Sequence, residues 1–263
     1  MVGSAGPAGD GDAARGLSVV VHPDVATLAR AAADEAAAVM RAAADARGVV
    51  HAMFATGNSQ LAFVEQLVTA TDDVPWDRTV VFHMDEYVGV GPDHPAGFQR
   101  WIRERIAARV PARAVHYIAG TGDAELECAR YAGLLEAHPL DLCCLGIGEN
   151  GHLAFNDPPV ADFGDPQAVK VVELDDACRR QQVGEGHFPS VDSVPTHAIT
   201  VTVPALLRAR SLICSAPDAR KAPAVRDALD GPLTTACPAS ALRTARSVTL
   251  HLDAPSAQLW SGR

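Results

Sequence analysis

Apolar positions along the chain fall into two alternating rhythms. Short runs that are almost wholly apolar, LSVVVH at 17–22, GVVHAMFAT at 48–56, TVVFHM at 79–84 and DLCCLGIG at 141–148, have the length and β-branched content of buried strands. Between them lie stretches whose apolar residues recur at helical spacing: an Ala-rich segment from 23 to about 46, LAFVEQLVTA, GFQRWIRERIAARV and ECARYAGLLEAH. HAITVTVPALL at 197–207, SLICSAP at 211–217 and SVTLHLD at 247–253 read as further strands, with KAPAVRDAL as a helix between the last two. Strands alternating with helices predict an α/β fold: a doubly wound, mainly parallel sheet with helices on both faces. In such sheets ligands bind at the carboxyl ends of the strands. An active site is therefore expected there.

Composition narrows this picture. A chain of 263 residues that is 48% hydrophobic and 21% charged suits one large α/β domain, placed at 17–263. Residues 1–16, MVGSAGPAGDGDAARG, have almost nothing to bury and are expected to form a disordered tail. With 22 Lys+Arg against 32 Asp+Glu the net charge is −10, and no basic run exists to follow a phosphate backbone, so nucleic acid is not an expected partner. No apolar run approaches the roughly 20 residues that span a bilayer. The N-terminus also lacks a signal peptide's basic and apolar regions, so no membrane association and a cytoplasmic location are expected. Cys128, Cys143, Cys144, Cys178, Cys214 and Cys237 contain no metal-ligand spacing and read as reduced, mostly buried thiols.

The strand ends carry the candidate chemistry. Thr56, Gly57, Asn58 and Ser59 follow the second strand, where glycine lets backbone approach a ligand and the first N–H groups of a helix can face an anion; a plain turn capped by Asn or Ser explains the same residues. Asp85 and Glu86 follow the third strand. A buried neighbour there can raise a carboxyl pKa into the range of a general base, Asp85 being the candidate, but a turn cap with Glu86 in solvent stands level with that reading. After the fourth strand, LGIGENGHLAFNDPP places Asn150, His152, Asn156 and Asp157 within eight positions, where an imidazole can exchange protons and Asp157 can orient it. Lys221, opening a helix after SAPDAR, can balance substrate charge or be an ordinary surface lysine.

FHMDEYVGV, HPAGFQRWI and LGIGENGHLAFNDP, in this order and at these separations, resemble the glucosamine-6-phosphate deaminase family, within the wider group that includes 6-phosphogluconolactonase. The resemblance runs from about 18 to 255. It implies aldose–ketose isomerisation of an amino-sugar phosphate with loss of ammonia, without a metal or organic cofactor, acting on a small-molecule sugar phosphate; a homo-oligomer is left open. It implies that Asp85 moves the proton between C2 and C1 and that His152 opens the sugar ring, with Asn150 and Asp157 beside it. Asp157 stands where relatives carry Glu, a shortening that calls for a water or a shifted backbone. It further implies that the TGNS loop and Lys221 hold phosphate, and Glu86 is counted with them as a substrate- or phosphate-binding residue. A phosphate-binding arginine of the family would fall near Gly184, where this chain reads QQVGEGHFPS; Arg179, Arg180 and His187 are the replacements within reach. PVADFGDPQAVKVV lacks the paired serines of allosterically regulated members and keeps only Lys170 of a basic pair, so no activation by N-acetylglucosamine 6-phosphate is expected. The competing readings are a lactone hydrolase, whose relatives carry DER and DGHTASLF-like sequences instead, and a non-catalytic sugar-phosphate sensor.

Overall fold

A computed structural model describes residues 16–69 and 74–262. The expected N-terminal tail lies outside these residues except for Gly16, which opens the first strand instead of closing the tail. The elements, in chain order, are β1 (Gly16–His22), α1 (Val25–Arg47), β2 (Val50–Phe54), α2 (Leu61–Thr69), β3 (Thr79–His83), β4 (Asp85–Tyr87) and α3 (Phe98–Ile102). They continue with β5 (Ala114–His116), α4 (Ala124–Ala137), β6 (Leu142–Leu145), β7 (Val169–Glu173), α5 (Asp176–Gly184), β8 (His197–Val201), α6 (Val203–Leu207), β9 (Ser211–Ala216), α7 (Ala222–Asp230) and β10 (Ser247–Asp253).

Seven strands form one fully parallel sheet in the order β1-β10-β9-β6-β2-β3-β5. From β2 the chain winds outward through β3 to β5; from β6 it winds the other way through β9 to β10. The direction of winding thus reverses between β2 and β6. A crevice opens at such a point because the connections leave the two adjacent strand ends in opposite directions.

The period of two along the strands sorts their side chains onto two faces. Met53, Phe82, Cys143, Leu145 and Cys214 pack into a core with Tyr131 of α4, Leu206 of α6 and Val225 of α7. Their neighbours Ala52, Phe54, Val81, Leu142 and Cys144 pack with Met40 of α1, Leu67 of α2 and Ile102 of α3. All six cysteines are buried and free. Helix α1 begins where the Asp24 carboxylate accepts from Thr27 N at 2.7 Å, and ends at Gly48, whose φ of 76° is the left-handed conformation glycine adopts without a Cβ penalty.

Two local expectations are corrected. HAITVTVPALL is not one strand: it ends at Val201, and Pro204 sits in the first turn of α6, where its missing N–H costs nothing. Nor does β8 join the main sheet. It pairs antiparallel with β4 and β7 in a small second sheet, Asp85 lying opposite Thr200 and Lys170 opposite the same residue on the other side. This sheet covers a third apolar cluster, centred on Tyr87, Phe98, Phe155 and Phe188, beside the crevice.

Candidate active site

One cleft gathers the carboxyl ends of β2, β3, β6 and β9. It is lined by Thr56, Gly57, Asn58 and Ser59, by Asp85, by Gly146, Gly148 and His152, and by Lys221, with Gln181, Gln182, Glu185 and His187 closing one side.

The loop after β2 turns at Gly57, whose φ of 101° favours glycine, and then enters a short 3-10 turn, Asn58–Gln60, leading into α2. Gln60, not singled out in the sequence, is buried; its amide donates to Ser59 Oγ at 3.2 Å and to the Ser215 carbonyl at 3.3 Å, bracing the loop against β9. A Cβ at Gly146 would lie 2.8 Å from that amide and would displace it from the brace.

Asp85 begins β4, one residue beyond β3, and is 7% exposed, with its Oδ1 buried and without a hydrogen-bond partner among the described residues. Burial pushes its carboxyl well above the usual range, and the charges of Glu86 and Asp157 add to that. Glu86 does something different from the phosphate contact expected of it. Its Oε1 accepts from the backbone N of Tyr87 (2.9 Å) and Phe98 (3.1 Å), and Oε2 from Gln99 N (2.7 Å). The carboxylate is spent on the exposed N–H groups at the start of α3 and is buried away from the cleft.

The loop after β6 folds onto itself. Gly148 N donates to the His152 carbonyl (3.0 Å), His152 N to Asn150 Oδ1 (3.0 Å), and Asn150 Nδ2 to Asp157 Oδ1 (2.7 Å). His152 Nδ1 lies 3.0 Å from the same Asp157 oxygen, a close contact that does not have hydrogen-bond geometry. The shorter Asp thus reaches the ring directly, without a bridging water. Burial pushes Asp157 up, but His152 and Asn150 outweigh it and hold the carboxyl below its ordinary value. Gly148 is required by packing: a Cβ would meet the imidazole at 2.3 Å. Asn156 is structural, its amide donating to the carbonyls of Leu153 (2.8 Å) and Val201 (2.9 Å).

Lys221 is 5% exposed, which removes the surface-lysine reading. Burial lowers its pKa, with Glu185 and Glu149 opposing. It is positioned by Asp218, held at φ 89° with its N directed to the Asp253 carboxylate at 3.2 Å and its side chain accepting from Arg220 N. Of the three proposed arginine replacements, Arg179 is tied to the carbonyls of Val191 and Val194, Arg180 lies in an adjoining groove with Asn150 and Arg220, and His187 enters the cleft. Lys170 is held by Asp165 Oδ2 (2.8 Å) and the Val160 carbonyl (2.7 Å).

The cleft wall supplied by α5 was not read from the sequence. Tyr87 Oη donates to Gln182 Oε1 at 2.6 Å, fastening α5 to β4. Gln181 and Glu185 sit four apart and share a helix face, a signal that becomes usable once a helix over 176–184 is recognised.

Asp85 and Asp157 are two buried carboxyls pushed in opposite directions, around an imidazole and beside a loop turned at a glycine; such a pair suits acid–base chemistry. The chain belongs to the family of glucosamine-6-phosphate isomerases and 6-phosphogluconolactonases, matching it over residues 23–251. It is 35% identical over 210 residues to a glucosamine-6-phosphate deaminase of Exiguobacterium sibiricum, covering 79% of this chain and 80% of that one. A glucosamine-6-phosphate deaminase of Bacillus thuringiensis is 33% identical over 208 residues, covering 79% and 77%. Among solved structures, a monomeric glucosamine-6-phosphate deaminase superposes with a TM-score of 0.84 at 28% identity, over 92% of this chain and 99% of that one. A 6-phosphogluconolactonase from Thermotoga maritima (TM-score 0.72, 19% identity, 90% and 99% covered) shares the fold.

Proposed function

We propose that the protein isomerises and deaminates an amino-sugar phosphate, with glucosamine 6-phosphate and water giving fructose 6-phosphate and ammonia. The observation that carries this reading is the placement of Asp85, with an unpartnered oxygen, in one cleft with the His152–Asp157 pair. The relatives named glucosamine-6-phosphate deaminase support the choice of substrate.

In this reading the TGNS loop and Lys221 take the phosphate, through backbone N–H groups and one buried positive charge. His152, oriented by Asp157, accepts the proton of the C1 hydroxyl and returns one to the ring oxygen, opening the pyranose. Asp85 then removes the C2 proton, giving an enolamine, and delivers a proton to C1. The C2 iminium that results adds water and expels ammonia, leaving the ketose. A raised pKa makes Asp85 a stronger base than an ordinary carboxylate once it is ionised.

The test is incubation with glucosamine 6-phosphate, following ammonia and fructose 6-phosphate in equal amounts, with 6-phosphogluconolactone in a parallel reaction. Asp85→Asn is expected to lower kcat by about 10²-fold or more while leaving the fold intact. Hydrolysis of the lactone without ammonia release from the amino sugar would make the protein a lactonase, and binding of the sugar phosphate without turnover would make it a sensor.

A further inference from the structure

Glu185 places a negative charge at the anion end of the cleft. It follows α5 directly and lines the same cleft as Lys221 and the TGNS loop, with its side chain 14% exposed. Gly186, at φ 81°, turns the chain back through bonds from its N to the Val183 carbonyl and from His187 N to the Gln182 carbonyl. The His187 imidazole Nε2 is thereby returned to 3.4 Å from Glu185 Oε2, while Oε1 accepts from Gln181 Nε2 at 2.8 Å. The backbone carbonyl of Glu185 accepts from Asn58 Nδ2 at 3.3 Å, tying the turn to the TGNS loop. Burial pushes the carboxyl up, but His187, Gln181 and the charge of Lys221 outweigh it and hold it down to about 2. Glu185 is therefore ionised wherever the protein is folded and near neutral pH.

Formal charge at this end is then already tipped negative. Lys221 and Arg220 contribute two positive charges against those of Glu185, Asp218 and Glu149, with Arg220 engaged by Asp218 (3.2 Å) and Glu149 (3.4 Å). A phosphate monoester brings about −1.5 to −2 charges at neutral pH, and the carbonyl end of α5, the negative end of its dipole, terminates at the same place. We propose that Glu185 is a built-in counter-anion that competes with the phosphate of a sugar monophosphate for Lys221 and His187, and so sets how tightly the cleft holds a dianionic substrate or product. This rests on the sugar-phosphate reading of the cleft. Glu185 acts here as a specificity residue and touches no reacting atom.

The experiment titrates inorganic phosphate and fructose 6-phosphate into the full-length protein and its Glu185→Gln, Glu185→Asp and His187→Asn variants by calorimetry, with circular dichroism to check folding. Glu185→Gln keeps the shape and loses the charge; it should bind both ligands about tenfold or more tighter, the scale of removing one like charge at close range in a half-buried site. Glu185→Asp should stay near wild type, and His187→Asn should bind more weakly. Binding by Glu185→Gln that is weaker than or within about twofold of wild type overturns the proposal, as does equal tightening in Glu185→Asp or His187→Asn, which would trace the effect to a loosened turn. The readout does not depend on turnover. If wild type releases ammonia from glucosamine 6-phosphate and Glu185→Gln gains no phosphate affinity, only this proposal fails. If phosphate affinity rises but no variant turns the sugar over, the functional reading fails and this one stands.

Discussion

The chemistry proposed for Asp85 and His152 depends on the neighbours that hold them. The His152 ring lies against Gly148 so closely that any Cβ would strike it, and Asn150 and Asp157 hold it through one shared oxygen. Gly148→Ala is therefore expected to displace the imidazole and lower kcat by about 10- to 100-fold, with the melting temperature changing far less than the rate, measured by steady-state kinetics beside thermal melts. Asp85 makes a prediction of opposite sign for stability. Its folded pKa lies above the usual 3.8, so the folded state binds more protons than the unfolded one. The stabilisation from the held proton is complete below about 3.8 and is lost as pH rises through the raised folded value. Asp85→Asn, which cannot ionise, should match wild type in melting temperature near pH 4 and exceed it by a margin that widens as pH rises, while losing activity. At this scale much of the site was legible, because Asp85, His152, Asn150 and Asp157 lie in compact motifs at strand ends. Gln181, Gln182 and Glu185 were not so legible: they reach the cleft through the tertiary packing of α5 and the turn after it, whereas His187 was reached only as one of three replacements for an arginine.

At the scale of elements, the small antiparallel sheet explains why DEY follows β3 without a turn of its own. Asp85–Tyr87 leaves the main sheet to pair with β8, which aims Asp85 into the cleft and lets Glu86 cap α3. Glu86 was counted as a substrate- or phosphate-binding residue, yet successive residues on a strand point to opposite faces, and with Asp85 facing the cleft Glu86 turns away from it. Glu86→Ala strands three backbone N–H groups and should cost about 1–3 kcal/mol of stability by denaturant unfolding; a change confined to substrate affinity with stability untouched would restore the ligand role. The parallel strands were legible as apolar runs of strand length, whereas β5 and β7 were missed. Ala114–His116 is only three residues long, and Val169–Glu173 carries Lys170 and Glu173 on a half-exposed edge of the small sheet, so neither shows the apolar run that marks a buried strand.

For the whole molecule, the reversal of winding between β2 and β6 brings the TGNS loop and the His152 loop to adjacent strand ends, with Asp85 and Lys221 supplied by the strands on either side. Alternation of strands and helices made the sheet and its functional edge legible; strand order, which sets the neighbours, depends on long-range packing and was not. In the proposed reaction Asp85 carries a proton between two carbons of an amino-sugar phosphate held at that edge. The most direct measurement is the reaction of glucosamine 6-phosphate in deuterated water, with the fructose 6-phosphate examined by nuclear magnetic resonance. Deuterium at C1 of the product from the wild-type protein, and neither deuterium nor product from Asp85→Asn, is the predicted result; ammonia released at full rate by Asp85→Asn would contradict the assignment of Asp85.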